Sequence, residues 1–496
     1  MKCPIIKKCG GCFYPQDQYQ EELKEKTLFI EKEIKKTKLK IDVKPTVASP
    51  LENGYRNKAI VAFNQKYEYG LYEEHSQDII PYKHCLLHED IMDEILQYIQ
   101  SYLRKYRVSI YDRKRHKGLL RHVLIRRGVK TDQTMVVLVC NENMWRGSKQ
   151  FCSQLVKKFP SIKTIVLNVN TRKTPIVLGN EDKVLYGKGF IVDELCGLKF
   201  KISPQSFYQI NHDQCVNLYT KALSLLNIKG NETAIDAYCG IGTIGMILSQ
   251  NVKQVIGVES NRDAIKDAKN NARMNQLSNI QFVCDDATEF MKKLAKERHK
   301  VDVVIMDPPR SGSTKQFMDS VKILNPKQVV YISCDPTTQI RDIQYFKKIG
   351  YHTHTMYLYD MFPHTRHVET VVLLSHKKPY GHINVKVEFG EGEGKVPLDN
   401  IAKRAESYKP KERVTYKMIK EYIEAKYGFK VHTAYIAEVK TRRILQILQK
   451  RYLISFVFMD WERYSTLLFM AKQNVVHQST YFVVLPLMKD TRAITI

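Results

Sequence analysis

The feature that most limits the fold is a regular alternation of short apolar runs and helical segments between residues 201 and 378. The apolar runs have the length of buried strands, and they are found at 233–236, 254–259, 280–283, 301–306 and 328–332. Strands that alternate with helices in this way predict a doubly wound, mostly parallel sheet. We therefore expect a Rossmann-like α/β domain over residues 201–378.

The rest of the chain has other patterns, and a length of 496 residues leaves room for several domains. Residues 1–200 mix short β-like runs with basic segments, which predicts a mixed α+β region. The alternation stops near residue 378. Residues 379–496 are therefore predicted to form a C-terminal appendage of unknown role.

Several motifs lie at the carboxyl ends of the predicted strands, where open α/β sheets bind their ligands. The glycine-rich segment 236–243 leads from the first strand into a helix, and Glu259 ends the second strand, where a carboxylate can bind ribose hydroxyls. The glycines alone also fit a dinucleotide site. Asp286 after the third strand, Asp307 with two prolines after the fourth, and the lack of a phosphate-binding lysine favour S-adenosylmethionine over NAD.

Cys334 ends the fifth predicted strand, at the same edge of the sheet. A free cysteine is usually a small buried hydrophobic residue, but the turn predicted at 335–338 exposes this one. A thiolate there can add to C6 of a uracil, so that C5 attacks a methyl group, and a base must then remove the C5 proton. Glu369 is the best candidate for the base, with His364 and His367 as alternatives.

The charge of the chain indicates a polyanionic partner. There are 79 Lys and Arg against 52 Asp and Glu, a net charge of +27, and nucleic acid is the commonest partner for such an excess. Residues 103–130 contain eleven Lys and Arg, a single acid and two tyrosines. A solvated basic face is the alternative interpretation. Beside a base-modifying site we favour RNA, with the target uridine unstacked into the pocket.

Four further cysteines have the spacing of a metal site. Cys3, Cys9 and Cys12 lie close together in the sequence, and Cys85 is the candidate fourth ligand. Four thiolates can hold either zinc or an iron–sulfur cluster, and spacing alone does not separate the two. We expect a structural or RNA-positioning role, because methyl transfer needs no electron. Residues 1–200 are accordingly predicted to be the cysteine-cluster and RNA-binding region.

The sequence also predicts where the protein works. No apolar stretch approaches the roughly 20 residues of a membrane span, and no secretory signal is visible. Eleven unevenly spread cysteines suit a reducing cytosol better than a disulfide scaffold. We therefore expect a cytoplasmic protein with no membrane partner, and a monomer.

A set of motifs occurs in the same order in a known family. They are found at 203–211, 236–242, 307–312, 333–336 and 362–369. On these motifs the sequence resembles, from residue 3 to about 378, the bacterial RNA uracil-C5 methyltransferases, which include 23S rRNA and tRNA enzymes. The resemblance implies that Cys334 is the nucleophile and Glu369 the proton acceptor. It also implies contacts with S-adenosylmethionine from Gln209, Tyr238, Glu259, Asp307 and Asp286.

The cysteine pattern separates the branches of the resembled family. The ribosomal branch carries a [4Fe-4S] cluster on the same pattern and the tRNA branch typically lacks it, so the resemblance favours iron over zinc and 23S rRNA over tRNA. The rival hypotheses are a tRNA uracil-C5 enzyme, a cytosine-C5 methyltransferase and a non-catalytic RNA-binding or ribosome-assembly factor. The cytosine enzymes usually show a Pro-Cys and Thr-Cys pair, which is not found here.

Two departures from the resembled family limit what it implies. The small N-terminal β-barrel of many members is not visible in this sequence, so RNA affinity must come from the basic surface or the appendage. Residues after about 440 form an apolar, Tyr- and Phe-rich tail that does not resemble the expected appendages. From this tail we predict that the C-terminal end of the chain is frameshifted or has diverged.

Overall fold

The structure, a computed structural model, describes residues 3–15, 17–73, 76 and 78–376, and beyond these four strands without their side chains. Contacts divide the chain into two compact units, residues 1–376 and residues 377–496. The helices are α1 (Tyr19–Lys35), α2 (Asp90–Lys105), α3 (Ser148–Lys158), α4 (His212–Ser224), α5 (Thr243–Ser249), α6 (Arg262–Met274), α7 (Ala287–Lys296), α8 (Lys315–Leu324) and α9 (Pro336–Lys348).

The strands are numbered in the same way along the chain. In the first half they are β1 (Asp42–Val43), β2 (Lys58–Phe63), β3 (Tyr69–Tyr72), β4 (Ile79–Pro81), β5 (Leu120–Arg127), β6 (Thr134–Cys140), β7 (Ile162–Val169), β8 (Glu181–Gly187), β9 (Ile191–Leu195) and β10 (Leu198–Ile202). In the second half they are β11 (Thr233–Ala237), β12 (Gln254–Glu259), β13 (Ile280–Cys284), β14 (Val303–Met306), β15 (Gln328–Ser333), β16 (Thr355–Tyr359), β17 (Glu369–Ser375), β18 (Ile383–Val387), β19 (Tyr452–Trp461), β20 (Tyr464–Gln473) and β21 (Thr480–Leu487).

An eight-stranded sheet contains all five predicted strands, in the order β1-β16-β17-β15-β14-β11-β12-β13. The pairs from β13 to β15 are parallel, and β17 lies antiparallel between β15 and β16. The predicted Rossmann-like α/β fold is therefore confirmed. The sheet also takes in residues that precede the predicted domain, because β1 pairs with β16.

Alternation along the strands builds a core on each face of this sheet. Val303 and Ile305 of β14 pack in one hydrophobic cluster, and Val304 and Met306 pack in the other. Successive side chains of a strand point to opposite faces, so a strand covered by helices on both sides must be apolar throughout. This explains why the predicted strands read as unbroken apolar runs.

A second sheet of seven strands precedes the first along the chain, in the order β4-β3-β2-β5-β6-β7-β8. Its pairs are antiparallel except β6 and β7, which are parallel and are joined through α3. The apolar faces of α2 and α3 pack in one cluster with β5, β6 and β7. This is the predicted mixed α+β region, and its basic segment runs from the end of α2 through the loop 106–119 and β5 to residue 130.

The second unit contains one antiparallel sheet with the order β18-β19-β20-β21. Three of its strands fall in the tail for which the sequence predicts a frameshifted or diverged end. Because the side chains of this tail lie outside the described part of the structure, that expectation stays a prediction.

Candidate active site and cysteine cavity

The carboxyl ends of the parallel strands bring most of the predicted site residues to one edge of the sheet. Tyr238 follows β11, Glu259 ends β12, Asp307 follows β14 and Cys334 follows β15. Glu369 reaches the same edge from the opposite direction, since β17 runs antiparallel to β15. Ser333 is paired with Thr370, so the next positions along the two strands place Cys334 and Glu369 side by side.

Local hydrogen bonds fix the turn that carries the Cys334 thiol. Asp335 caps α9, and its Oδ1 accepts hydrogen bonds from the backbone N–H groups of Thr337 and Thr338 at 3.0 and 3.2 Å. Pro336 occupies the first turn of the helix, where its lack of an N–H costs nothing. Cys334 remains partly exposed while Ser333 beside it is buried. The exposed turn predicted at 335–338 is therefore present, as the start of a helix.

The surroundings of Cys334 set the protonation of its thiol. Burial and, after it, the Glu369 and Asp307 carboxylates raise the pKa of Cys334 to about 11, although Arg310 lowers it through its charge and a hydrogen bond. A nearby cation of this kind favours the thiolate, which is the nucleophilic form. Sequence reasoning assigned no role to Arg310. The signal was its place directly after Asp307 and two prolines, at the end of β14.

Glu369 lies in a setting that keeps a proton near neutral pH. Burial raises the pKa of Glu369 to about 8, Asp307 also raises it, and Arg310 lowers it. Burial likewise raises the pKa of Asp307 to about 7. A carboxyl group with a pKa near the working pH can both accept and release a proton, which is what a general base needs.

The glycine-rich turn after β11 is held by two carboxylates. Asp236 accepts a hydrogen bond from the Gly245 N–H at 2.8 Å, and a Cβ at Gly245 would lie 2.6 Å from the same carboxylate oxygen. Glu259 accepts from the Gly240 N–H at 3.2 Å. Tyr238 takes a positive φ of 66° within this turn. The loop is therefore shaped to bring backbone close to a ligand at the end of β12.

Two other predicted cofactor residues reach this region in different ways. Asp286 caps α7, where its Oδ1 accepts hydrogen bonds from Thr288 and Glu289. Gln209 is buried in the loop before α4, and its carbonyl oxygen accepts a hydrogen bond from the Asn57 amide at 2.8 Å. The Asp286 carboxylate therefore serves as a helix cap. The Gln209 side chain caps no helix in the described part of the chain.

The four predicted metal-ligand cysteines converge although Cys85 is far from the others in sequence. A single cavity is lined by all of them, Cys3, Cys9, Cys12 and Cys85. Cys9, Cys12 and Cys85 carry free thiols. Within the described residues, however, no group of three or more His, Cys, Asp or Glu side chains is placed to hold a metal ion. The convergence is thus present, and the metal remains a prediction.

Charge differs among the thiols of this cysteine cavity. Burial and, after it, the charge of Cys85 raise the pKa of Cys12 to about 12. For Cys85, burial also acts to raise the pKa, but a hydrogen bond and the charge of His88 outweigh it and lower the pKa. His88 is in turn hydrogen-bonded to Asp93 at 2.8 Å. Cys85 is therefore more readily ionised than Cys9 and Cys12.

The predicted RNA-binding segment, residues 103–130, is not a uniform basic surface. Arg126 on β5 is buried, and its guanidinium donates hydrogen bonds to the carbonyl oxygens of Ser203 and Ser206. It therefore holds the loop that leads to Gln209 and is unavailable to a phosphate. The count of Lys and Arg in this segment overstated the number of exposed cations, because β5 lies inside the second sheet.

The open parallel sheet, the glycine-rich turn after β11 and the carboxylate at the end of β12 define the class, an S-adenosylmethionine-dependent methyltransferase. The family profile described as tRNA (Uracil-5-)-methyltransferase matches residues 18–377. The chain therefore belongs to this family and is an S-adenosylmethionine-dependent RNA uracil-5 methyltransferase. Within the described residues, no helix has the length and apolar character needed to cross a membrane.

Individual relatives agree with this assignment. The chain is 38% identical over 382 residues to an uncharacterized RNA methyltransferase of Clostridium tetani, covering 75% of this chain and 82% of that one. It is 37% identical over 377 residues to one of Caldanaerobacter subterraneus, covering 75% and 83%. A solved structure, the Pyrococcus abyssi tRNA (uracil-54, C5)-methyltransferase in complex with S-adenosyl-L-homocysteine, is similar with a TM-score of 0.61 and 28% identity, over 72% of this chain and 83% of that chain.

Proposed function

We propose that the protein methylates C5 of a uridine in 23S rRNA through a covalent bond between Cys334 and C6 of the base. The observation that carries the proposal is the pairing of β15 with β17, which sets Cys334 beside Glu369 at the ligand-binding edge of the sheet. A nucleophile and a base are then available to the same base ring. Methylation of an amine or a hydroxyl would need no such thiol.

The residues divide the chemistry as follows. The partly exposed Cys334 thiol loses its proton to solvent and bonds to C6 as the thiolate, and the C5–C6 double-bond electrons move onto the ring as an enolate. S-adenosylmethionine would supply the methyl group to the nucleophilic C5, with its sulfonium–methyl bond broken and S-adenosylhomocysteine released. The Glu369 carboxylate takes the proton from C5, and the electron pair of that bond restores the double bond and expels the Cys334 sulfur. The Arg310 cation favours the thiolate form of Cys334 both before the sulfur adds to C6 and after it is expelled.

The cofactor side of the site is proposed on the same geometry. Glu259 would bind the ribose hydroxyls, Tyr238 and Asp286 would contact the adenosine, and Asp307 and Gln209 would face the reacting end. The positive φ of Tyr238 and the close approach at Gly245 support this placement, because both shape the turn around a ligand.

We also propose that the cysteine cavity holds a [4Fe-4S] cluster, with zinc as the alternative. Each thiolate of such a cluster binds a different iron atom, so its four sulfurs are spread more widely than around one ion. What supports a ligand shared by the four thiolates is that all four cysteines line one cavity. Its role would be structural, and the enzyme would act as a monomer in the cytoplasm.

The RNA substrate is the part of the proposal with a specific rival. The cysteine cavity supports rRNA by the resemblance, whereas the similar structure from Pyrococcus abyssi acts on tRNA. Mapping 5-methyluridine in rRNA and tRNA from cells with and without the gene decides between them. We expect a mark in 23S rRNA that disappears with the gene, and marks confined to tRNA would overturn the rRNA proposal.

The alternative hypothesis, that the protein is a non-catalytic RNA-binding factor, is tested with purified protein. Replacing Cys334 by Ala should abolish methyl transfer while RNA binding persists, since the thiol is one partly exposed side chain in a turn fixed by its neighbours. Retention of methyl marks in cells that carry only this variant would support the non-catalytic alternative.

A further inference from the structure

A second polar cavity lies away from the residues assigned to catalysis, beside β5. It has a volume of about 270 Å³ and is lined by Tyr111, Arg113, Lys114, Arg121, Lys173 and Thr174. Four of these six residues are cations, and none is an acid. A cavity of this composition repels metal ions and attracts anions.

Arg121 forms the buried wall of the cavity. It is only 6% exposed, and its Nη1 donates hydrogen bonds to the carbonyl oxygens of Asn170 and Arg172. Its guanidinium lies 4.4 Å from the centre of the Tyr111 ring. The Arg121 Nε is buried and has no hydrogen-bond partner. The side chain is therefore fixed in place while its buried Nε–H is left without a partner among the described residues.

The positive charge of this cavity is not balanced by protein carboxylates. Among the ion pairs of the described residues, none involves Arg113, Lys114, Arg121 or Lys173. Asp112, the acid nearest in sequence, is engaged by the N–H groups of Lys114 and Arg115 and by the Arg115 guanidinium. Since a buried unpaired cation is costly, an anion would stabilise this arrangement.

We propose that this cavity binds one backbone phosphate of the RNA substrate. The inference rests on the RNA substrate of the proposed function and deepens it by assigning a contact outside the reacting base. A volume of about 270 Å³ lies below the range of most small-molecule pockets and suits a phosphate with part of its sugar. Arg113, Lys114 and Lys173 are exposed at its rim, where a long polyanion can reach them.

The test compares Lys173→Ala with a matched change elsewhere. Lys173 and Lys269 are both exposed lysines, and Lys269 lies on α6. The dissociation constant for the RNA is measured over a range of salt concentrations. We expect Lys173→Ala to weaken binding about tenfold and to lower the slope of log affinity against log salt by about 1. Lys269→Ala should change the dissociation constant and the salt slope much less. The maximal methylation rate of Lys269→Ala should equal that of the wild type.

A second measurement locates the contact. RNAs with a single neutral methylphosphonate at successive positions are bound to wild-type protein and to the Arg113→Ala/Lys173→Ala variant. One position should weaken binding to the wild type and have no further effect in the variant, because the contact is already lost. Equal losses in Lys173→Ala and Lys269→Ala, or the absence of such a position, would overturn the inference.

Two further outcomes are distinguishable. As a probe, inorganic phosphate is added to the isolated protein at constant ionic strength. If it raises the unfolding temperature of the wild type but not of Arg113→Ala/Lys173→Ala, while RNA affinity is equal in both, the cavity is a free-phosphate site and the RNA proposal is wrong. Wild-type protein that binds RNA through this cavity but methylates no uridine would instead overturn the proposed function alone.

Discussion

Cys334 and the four cysteines of the cysteine cavity are all partly exposed thiols, but their surroundings differ. Cys334 stands alone at the end of a strand, with a carboxylate on one side and the Arg310 cation on the other. Burial and the neighbouring cysteines raise the pKa of Cys9 and of Cys12, although the Arg56 cation lowers it. The contrast lies in number and in the neighbouring base: a single thiol beside the Glu369 carboxyl suits addition to a substrate, whereas several thiols around one cavity suit a shared ligand.

The two thiol regions are nevertheless joined by short segments, one of which is residues 55–57. The Tyr55 hydroxyl donates to the Pro363 carbonyl at 3.0 Å, in the loop before Glu369. The Arg56 N–H donates to the carbonyl of Leu87, two residues after Cys85, at 2.8 Å. The neighbouring Asn57 binds the Gln209 carbonyl. A disturbance at the cysteine cavity can therefore reach both the base and the cofactor loop.

The largest effect should come from Cys334→Ser, which keeps the size of the side chain but not its nucleophilicity. We expect single-turnover methyl transfer to fall on the order of 10⁴-fold or more, with RNA affinity unchanged. The counterpart is Cys12→Ser in the cysteine cavity, which should lose bound iron or zinc and reduce the rate far less. Transfer by Cys334→Ser within about tenfold of wild type would show that another group is the nucleophile.

Glu369→Gln should separate addition from elimination. Without the base, the C5 proton stays in place, so the RNA should remain bonded to Cys334, and turnover should fall about 10²- to 10⁴-fold. The adduct is detected as a slowly migrating band of labelled RNA on a denaturing gel. The double variant Cys334→Ser/Glu369→Gln is the control. A band that persists in it would place the bond on a different residue.

The same carboxyl group predicts a pH dependence of stability. The pKa of Glu369 is about 8 in the fold against an ordinary value of 4.5, so the folded state holds a proton that the unfolded state has lost. The stabilisation that this bound proton gives the folded state is fully present below about pH 4.5, and it is lost as the pH rises through about 8.

Glu369→Gln imitates the protonated group and removes this loss. Its free energy of unfolding should exceed that of the wild type by on the order of 2 kcal/mol at pH 8, and the gap should narrow towards pH 5. Urea unfolding at several pH values measures both. A gap that is constant with pH would show that the Glu369 carboxyl is ionised in the folded protein.

The smallest effect is expected from Tyr55→Phe, which removes the hydroxyl that donates to the Pro363 carbonyl and accepts from the Arg56 Nε. A loss of about 1 kcal/mol should lower the methylation rate about fivefold, leave the KM for S-adenosylmethionine unchanged and speed hydrogen exchange in residues 360–369. Tyr82→Phe is the matched control, because the buried Tyr82 hydroxyl lines the same cysteine cavity and has no partner. If both variants behave alike, the link between the two thiol regions carries no functional coupling.

Local sequence signals predicted the parts of the site that depend on single strands. The apolar runs marked β11 to β15, and parallel strands necessarily bring their carboxyl ends to one edge. Asp335 and Pro336 predicted the turn after Cys334, since an acid followed by proline starts a helix without long-range help. The class of fold and the position of the thiol were therefore accessible without coordinates.

The relations between distant segments needed the tertiary structure. The motif order suggested Glu369 as the base, but only the insertion of β17 between β15 and β16 places it beside Cys334. The direction in which Arg126 points, into the loop before Gln209, and the unpaired Nε of Arg121 followed from packing inside the second sheet. Charge counting gives no such information, because a sequence records how many cations a segment has and not which of them are buried.

The sequence by itself therefore determined the methyltransferase sheet, its ligand edge and the thiol at that edge, because each depends on periodicity or on a local turn. Tertiary structure decided which groups surround that thiol, how Cys85 meets the other three cysteines, and where an unbalanced positive cavity lies. The physical reason is that these contacts join residues far apart in the chain, and their energies come from burial and pairing that no local pattern encodes.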